Sequence, residues 1–414
     1  MMAMLRSGSE LWSNFHDGLQ SICYNEQPIQ ILIKNSSLYS GVVMVGFHGA
    51  IEKRSKIEPP YFYFRGVSDS VGIPLISISD PSMNLSDAFN LAWYIGHHAQ
   101  PFLQKFLAGF LDEFILASGA RLVLSGGSGG GFAALSTQSL MKQCSMTTSF
   151  VWNPQIYAYD YNDGCTKKYL ESCFPARVHN IDLSAMRHSD LCALMKEVSL
   201  CEVGFHDAVD KCNRVIMING YDQNHLRKHI RKYVSAESFE YIDHNTLQFG
   251  QCIVHVGEWG RGHIGPPKQT VMQILSVLMD GRAVTDALRS VSSCYSKGVL
   301  HYQSKPCFPS EIDINVFLLP RYILFQANIG NHFKGYQWQV KLIECRSGSV
   351  VASSGYVLGS NIDQVFFDVE NIPNFKIFDF KAQVLLEDFF GVVASKDFIL
   401  NKLVRQVKLI KCKW

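Results

Sequence analysis

Residues 121–135 read RLVLSGGSGGGFAAL, and this stretch restricts the fold of the chain more than any other. A short apolar run, Leu122-Val123-Leu124, leads into Gly126-Gly127-Ser128-Gly129-Gly130 and then into Phe132-Ala133-Ala134-Leu135, a set of good helix formers. A serine between glycines at a strand-to-helix junction predicts a turn too sharp for side chains at its flanks. Such a turn lifts the Ser128 hydroxyl out at the strand end. It also aims the Gly129 N–H at the place where an oxyanion would form, with the field of the helix N-terminus behind it. Two rival readings fit less well. A flexible linker has no apolar strand before it and no helical run after it. A dinucleotide fingerprint, Gly129-x-Gly131-x-x-Ala134, requires an acid about 20 positions on, where the chain has Ser149-Phe150-Val151-Trp152-Asn153-Pro154.

The 414 residues exceed one ordinary core, so two domains are expected. Hydrophobic residues make up 47% and charged ones 18%, with a formal net charge of +2. No long Lys/Arg block is present, so nothing points to nucleic acid or an anionic membrane surface. Residues 1–20 carry Arg6, Glu10 and Asp17 and lack an apolar core of signal-peptide length, so no export signal is expected. No apolar run reaches transmembrane length. The 12 cysteines include no C-x-x-C pair and several stand in apolar runs, which suits reduced thiols in a cytoplasm. Oligomeric state is not legible.

Along the chain, Gln27 to Lys34 alternates like a strand with one wet face, and Val42 to Phe47 is continuously apolar like a buried central strand. Further buried strands are expected at Ile73 to Ile78, Thr148 to Trp152, Val215 to Asn219 and Cys252 to Val256. Helices are expected at Phe102 to Ala117, Asn224 to Val234 and Lys268 to Met279, the last starting just after Pro266-Pro267. Residues 155–213 interrupt the alternation and are expected to roof the strand ends. From about 298 to 414 short alternating segments predict an all-β sandwich, with a boundary near 285–297 and a last strand over 405–413.

A serine hydroxyl needs a base, and the base an orienting carboxylate. Asp222 follows one predicted strand and His263 the next, which gives the chain order serine, acid, histidine. The second oxyanion donor would be Gly49 or Ala50 in the His48-Gly49-Ala50 turn. Each role has a plainer alternative. Asp222 could cap the following helix, and Asp243 or Glu258 could be the acid. His255 is the rival base, although its apolar strand suits a buried histidine, and His48 is expected to be a structural hydrogen-bonder. His225 and His229 have metal-ligand spacing, but without a third ligand in view a solvated helix face is expected and no metal site is assigned. Asp160 to Gly164 is read as a turn, its glycine one place short of a calcium loop.

The SGGSGGG turn with the HGA, GYD and GRGH loops resembles the α/β-hydrolase superfamily over roughly residues 25–285. The resemblance implies a mainly parallel sheet with helices on both faces over residues 1–290, followed by the β domain at 298–414. That succession of domains also resembles bacterial glycan and capsule O-acetyltransferases, including the accessory-secretion-system type. Ala50 departs from the lipase pattern, where a third glycine is usual. The resemblance implies acetyl-CoA as donor and a glycan or polysaccharide acceptor. Trp152 and Tyr159, beside Asn153, Tyr157 and Tyr161, are the candidates to face a sugar ring. A carboxylesterase and a non-catalytic scaffold are the alternatives.

Overall fold

The computed structural model describes residues 4–52, 54–203, 212–235, 239–243, 246–257, 259–280, 285 and 288, then 313–318, 322–328, 337–354, 357–358, 363–368, 380–387 and 393–399. The chain divides into two compact units, Met1–Lys297 and Gly298–Trp414. The boundary expected at 285–297, apart from 285 and 288, and the strand expected at 405–413 lie outside the described residues.

The first unit has strands β1 (Met4–Leu5), β2 (Gly18–Tyr24), β3 (Gln27–Lys34), β4 (Val42–Phe47), β5 (Leu75–Ile78), β6 (Gly96–His97), β7 (Gln100–Pro101), β8 (Arg121–Gly127), β9 (Thr147–Trp152), β10 (Asn213–Asn219), β11 (Glu240–Asp243), β12 (Thr246–Phe249) and β13 (Cys252–Gly257). Its helices are α1 (Gly8–Ser13), α2 (Arg65–Val71), α3 (Leu103–Ser118), α4 (Gly129–Leu140), α5 (Asp163–Cys173), α6 (Pro175–Val178), α7 (His188–Val198), α8 (Gln223–His225), α9 (Arg231–Ser235) and α10 (Lys268–Met279). Eleven strands form one sheet in the order β1-β2-β3-β5-β4-β8-β9-β10-β13-β12-β11, while β6 and β7 pair with each other.

The six strands from β5 to β13 in that order run parallel. Strand β3 pairs antiparallel with β2 and β5, and β12 pairs antiparallel with β13 and β11. Parallel strands covered on both faces need unbroken apolar sequence, which is what β4 and β13 carry, with every residue buried. Side chains alternate between the faces. Met44, Val123, Phe150, Met217 and Ile253 share one face with Val271, Ile274, Leu275 and Leu278 of α10. Burying each of those helix side chains contributes about 1.5–3 kcal/mol. On the opposite face α4 packs over β4, β8 and β9, with α3 against it. All six parallel strands therefore end along one edge of the sheet, and the loops that leave that edge carry the site.

Two departures from the sequence reading bear on the site. The helix expected over Asn224 to Val234 is interrupted between α8 and α9 by a π turn, Leu226–Ile230. Its residues His225 and His229 are 3% and 0% exposed, not on a solvated face. The outer strands β2, β11 and β12, away from the parallel centre of the sheet, were not expected, because pairing with a neighbour rather than an apolar pattern of their own defines them.

Among the described residues every strand pairing of the second unit is antiparallel. Strands β14 (Asp313–Leu318), β15 (Tyr322–Asn328), β16 (Gln337–Glu344), β17 (Val350–Ser353), β18 (Val357–Leu358), β19 (Asp363–Asp368), β20 (Phe380–Glu387) and β21 (Val393–Ile399) form two sheets. One has the order β14-β15-β19; in the other β17-β16-β20-β21 run side by side and β18 pairs with β16. Ile323, Phe325, Val365 and Phe367 are buried in the first, and Trp338, Val340, Leu342 and Val384 in the second. These residues recur at every second position, as a strand with one buried face requires.

Candidate active site

Ser128 stands between β8 and α4 at φ 55°, ψ −120°, a conformation that costs a non-glycine residue energy and persists only where the surroundings enforce it. Three hydrogen bonds from one four-residue segment do so. Ser128 N–H donates to the Trp152 carbonyl at 3.0 Å, and Gln155 N–H donates to the Ser128 carbonyl at 3.2 Å. The Gln155 side-chain Nε2 then donates to Ser128 Oγ at 2.9 Å. The glycines make room for this. A Cβ on Gly126 would lie 2.2 Å from the Gly130 backbone, and one on Gly130 would lie 2.5 Å from the Phe47 carbonyl. Neither backbone neighbour can yield.

The loop after β4 lies against this turn. A Cβ on Gly49 would be 2.8 Å from the Gly127 carbonyl and 3.7 Å from Ser128 Cβ, so only glycine permits the approach. His48 Nε2 accepts the Asp80 N–H at 3.2 Å, which leaves its proton on Nδ1 to donate to the Gly49 carbonyl at 2.8 Å. Burial lowers the His48 pKa to about 4, so the ring is neutral and structural. Among the described residues the N–H groups of Gly49 and Ala50 have no protein acceptor, and the Gly129 N–H opens α4, where no intrahelical acceptor exists. Three amides beside the Ser128 turn are thus left without a protein acceptor.

Asp222 follows β10 and caps α8 by accepting the His225 N–H at 3.2 Å, so the capping role foreseen as its alternative is present as well. Its Oδ2 lies 2.5 Å from His263 Nδ1, and His225 Nδ1 lies 3.0 and 2.9 Å from its two oxygens. Burial raises the Asp222 pKa, but hydrogen bonds from His225 and His263 outweigh it and hold the carboxyl well below the ordinary range. The His225 ring stacks on that of His263 with centroids 4.2 Å apart. Burial, the largest influence, lowers the pKa of His225 against the pull of Asp222, and that of His229 falls well below the usual value. Both rings are neutral at physiological pH.

His263 itself is exposed, and the loop that bears it is tied down by two buried asparagines at the ends of neighbouring strands. Asn219 Nδ2 donates to the carbonyls of Gly260 and Gly262, each at 2.8 Å. Asn153 Nδ2 donates to the Ile264 carbonyl at 2.9 Å, while its Oδ1 accepts the Asn219 N–H at 2.7 Å. Sequence reasoning set Asn153 beside the residues expected to face a sugar ring and gave Asn219 no role; neither was expected to hold this loop. The only available signal was a polar residue closing an otherwise apolar strand.

Serine after a central parallel strand, the His48-Gly49-Ala50 turn after its neighbour, acid and histidine after the second and third strands on its other side, and a crossover that swaps β4 and β5 together define one architecture. The first unit has the α/β-hydrolase fold. In this unit Ser128 and His263 line one cavity of about 430 Å³, with Trp152, Phe64, Tyr161 and Lys268 also in its walls. Ser128 Oγ takes its hydrogen bond from Gln155, and none joins it to His263. Trp152 lines the cavity, its indole wedged between Gly127 and Gly265. Tyr159 does not: the Lys196 ammonium sits 4.3 Å above its ring, and Tyr63 and Tyr161 are the tyrosines in the cavity wall. His255 bonds Thr246 Oγ1 at 2.9 Å on β13, Asp243 lies on β11 and Glu258 is outside the described residues. Asp160 binds Lys232 and Asn162 caps α5, so that segment is a turn and helix start. Asp222, His225 and His263 bring three possible ligand atoms within 4.8 Å of one another, and hydrogen bonds among them already engage both Nδ1 atoms. Among the described residues every cysteine is unbridged and no helix is long and apolar enough to cross a membrane.

No family model and no curated protein matches the sequence. Among solved structures, the capsule O-acetyltransferase of Neisseria meningitidis serogroup A is similar at 14% identity, covering 68% of this chain and 98% of that one, with a TM-score of 0.37. An S-formylglutathione hydrolase from Agrobacterium tumefaciens is similar at 14% identity over 64% and 94%, with a TM-score of 0.35. The glycosylation-associated Gap123 complex of Streptococcus agalactiae is similar at 13% over 64% and 44%, with a TM-score of 0.37. The fold assignment rests on the strand order and the placement of the site, not on these likenesses.

Proposed function

We propose that the hydrolase unit is a serine acyl-transfer enzyme. The observation that carries this reading is a serine held at φ 55° in the same cavity as a histidine whose Nδ1 is 2.5 Å from a buried carboxylate. Because Asp222 engages Nδ1, the neutral His263 ring bears its proton there and presents a bare Nε2. Ser128 Oγ attacks the acyl carbonyl as its proton passes to that Nε2, and the oxyanion is held by Gly129 with Gly49 or Ala50. Collapse expels an alcohol or thiol, which takes the proton from His263, and leaves the acyl group on Ser128. A second hydroxyl then attacks by the reverse sequence. The test is a fluorophosphonate, which phosphonylates an activated serine. Labelling of the wild type and none of Ser128→Ala supports the reading, and absence of wild-type labelling refutes both it and the choice of enzyme over scaffold.

In its more specific form the enzyme is an O-acetyltransferase that takes acetyl-CoA as donor and a glycan or polysaccharide hydroxyl as acceptor. The sequence resemblance and the aromatic walls of the cavity support this form. A carboxylesterase is the second reading, favoured by one observation: the His263 side chain is 43% exposed, so water can reach the base. Incubation with acetyl-CoA and an oligosaccharide panel, read by mass, separates them. Acetylated sugar supports transfer. Cleavage of small acyl esters without any acceptor, with acetyl-CoA untouched, supports the esterase.

A further inference from the structure

Ser128 Oγ receives a hydrogen bond from a residue outside the serine-histidine-acid set. Gln155 is fully buried, follows β9 by three positions and donates from Nε2 to Ser128 Oγ at 2.9 Å. Its other amide atom, Oε1, accepts from Trp93 Nε1 at 2.5 Å, and Trp93 is also fully buried. An indole N–H can only donate, so the atom facing it must be the amide oxygen. Chemistry therefore fixes which way the amide is turned, and Nε2 must face the serine. The backbone makes the same arrangement costly to undo. Trp93 lies at φ 57° and Asn153 at φ 43°, both in the left-handed region, and the Gln155 N–H holds the Ser128 carbonyl.

We propose that Gln155 is a catalytic residue of this site: its amide makes the Ser128 hydroxyl an acceptor on one side, so that the hydroxyl proton is directed into the cavity that His263 lines. The inference rests on Ser128 being the nucleophile. The same N–H stays on Oγ as the O–H bond breaks and negative charge develops there, and it meets Oγ again as leaving group when the acyl-enzyme is resolved. Such a donor is already oriented before reaction and adds no cost of reorganisation at the transition state. Without it the hydroxyl can rotate toward other acceptors, and the attack needs an additional orientation step.

Gln155→Glu tests the polarity directly, because it keeps the shape and reverses the role. With its carboxylate ionised, one oxygen still accepts from Trp93 while the other draws the serine proton away from His263. Protonation of that carboxyl restores a donor. Fluorophosphonate labelling rates across pH 4.5–9 are the readout. The wild-type rate at each pH is the reference. For Gln155→Glu it is expected to be about 10²-fold below wild type at pH 8, and the ratio of variant to wild type is expected to rise as pH falls. A role confined to packing would leave that ratio flat. Should Gln155→Glu fail to accumulate as folded protein, Gln155→Met, uncharged and of similar length, is expected to label at least about 10-fold more slowly than wild type at every pH, with a thermal midpoint within a few degrees of it. Labelling of either folded variant within about threefold of a labelled wild type at every pH overturns the role of Gln155. A wild type that is not labelled removes the nucleophile as well, so the two failures are distinct.

Discussion

The serine side and the histidine side of this site are built by opposite means. Ser128 is fixed by residues within 30 positions of it: glycines whose Cβ would strike backbone, and a segment, Trp152 to Gln155, that engages its N–H, its carbonyl and its hydroxyl. His263 is half-exposed on a glycine-rich loop, and its alignment depends on a buried carboxylate 41 positions away and on two asparagines from other strands. Ser128 sits in one strained conformation, which local sterics can enforce. A partly exposed histidine on a glycine-rich loop can be held in place only by groups anchored in the sheet.

The largest expected effect lies on the serine side. Ser128→Ala should reduce turnover by a factor on the order of 10³–10⁶ while leaving the thermal midpoint in place, because the hydroxyl contributes chemistry and little packing. A variant that keeps more than about a tenth of the activity shows that the nucleophile is elsewhere. On the histidine side, Asp222→Asn should cost roughly 10³–10⁴ in kcat, since an amide can present its N–H to Nδ1 and favour the wrong tautomer. A loss below about tenfold would show that the 2.5 Å bond is structural only.

The comparison is sharpened by Asn219→Ala. Removing the two bonds to the Gly260 and Gly262 carbonyls should lower kcat by about 10–10² through misplacement of His263, and should increase hydrogen exchange at residues 259–264 but not at 126–131. Equal loosening of both segments would show that the two sides are one unit. The smallest effects concern the aromatic residues. Trp152→Ala, which opens the cavity wall beside Ser128, should weaken acyl transfer about tenfold, and Tyr159→Ala should change it by less than about twofold. The reverse ranking would place the substrate away from the cavity described above.

Much of this arrangement was legible in the chain. The turn at 126–130 could be read because glycine and serine act there through local sterics. Strands β3 and β4 and helix α10 have the limits that their patterns predict, Gln27–Lys34, Val42–Phe47 and Lys268–Met279, since each owes its form to its own buried face. The order Ser128, Asp222, His263 follows from a parallel sheet whose loops leave one edge. The outer strands β2, β11 and β12 were not legible, because a partner defines them.

What the sequence determined by itself is therefore the unit's fold class and the residues proposed for its site: a strand-turn-helix that only glycine allows, followed by an acid and a histidine at successive strand ends. Tertiary structure decided what surrounds them. It turned His225 and His229 inward through a π turn, set His225 against His263 at 4.2 Å, chose Tyr161 over Tyr159 for the cavity, and gave Gln155, Asn153 and Asn219 their partners. Steric demands act between neighbours in the chain and leave a pattern there. A hydrogen bond between residues 27, 43 or 111 positions apart depends on where the fold has already brought two backbones, and a single amide side chain carries no mark of it.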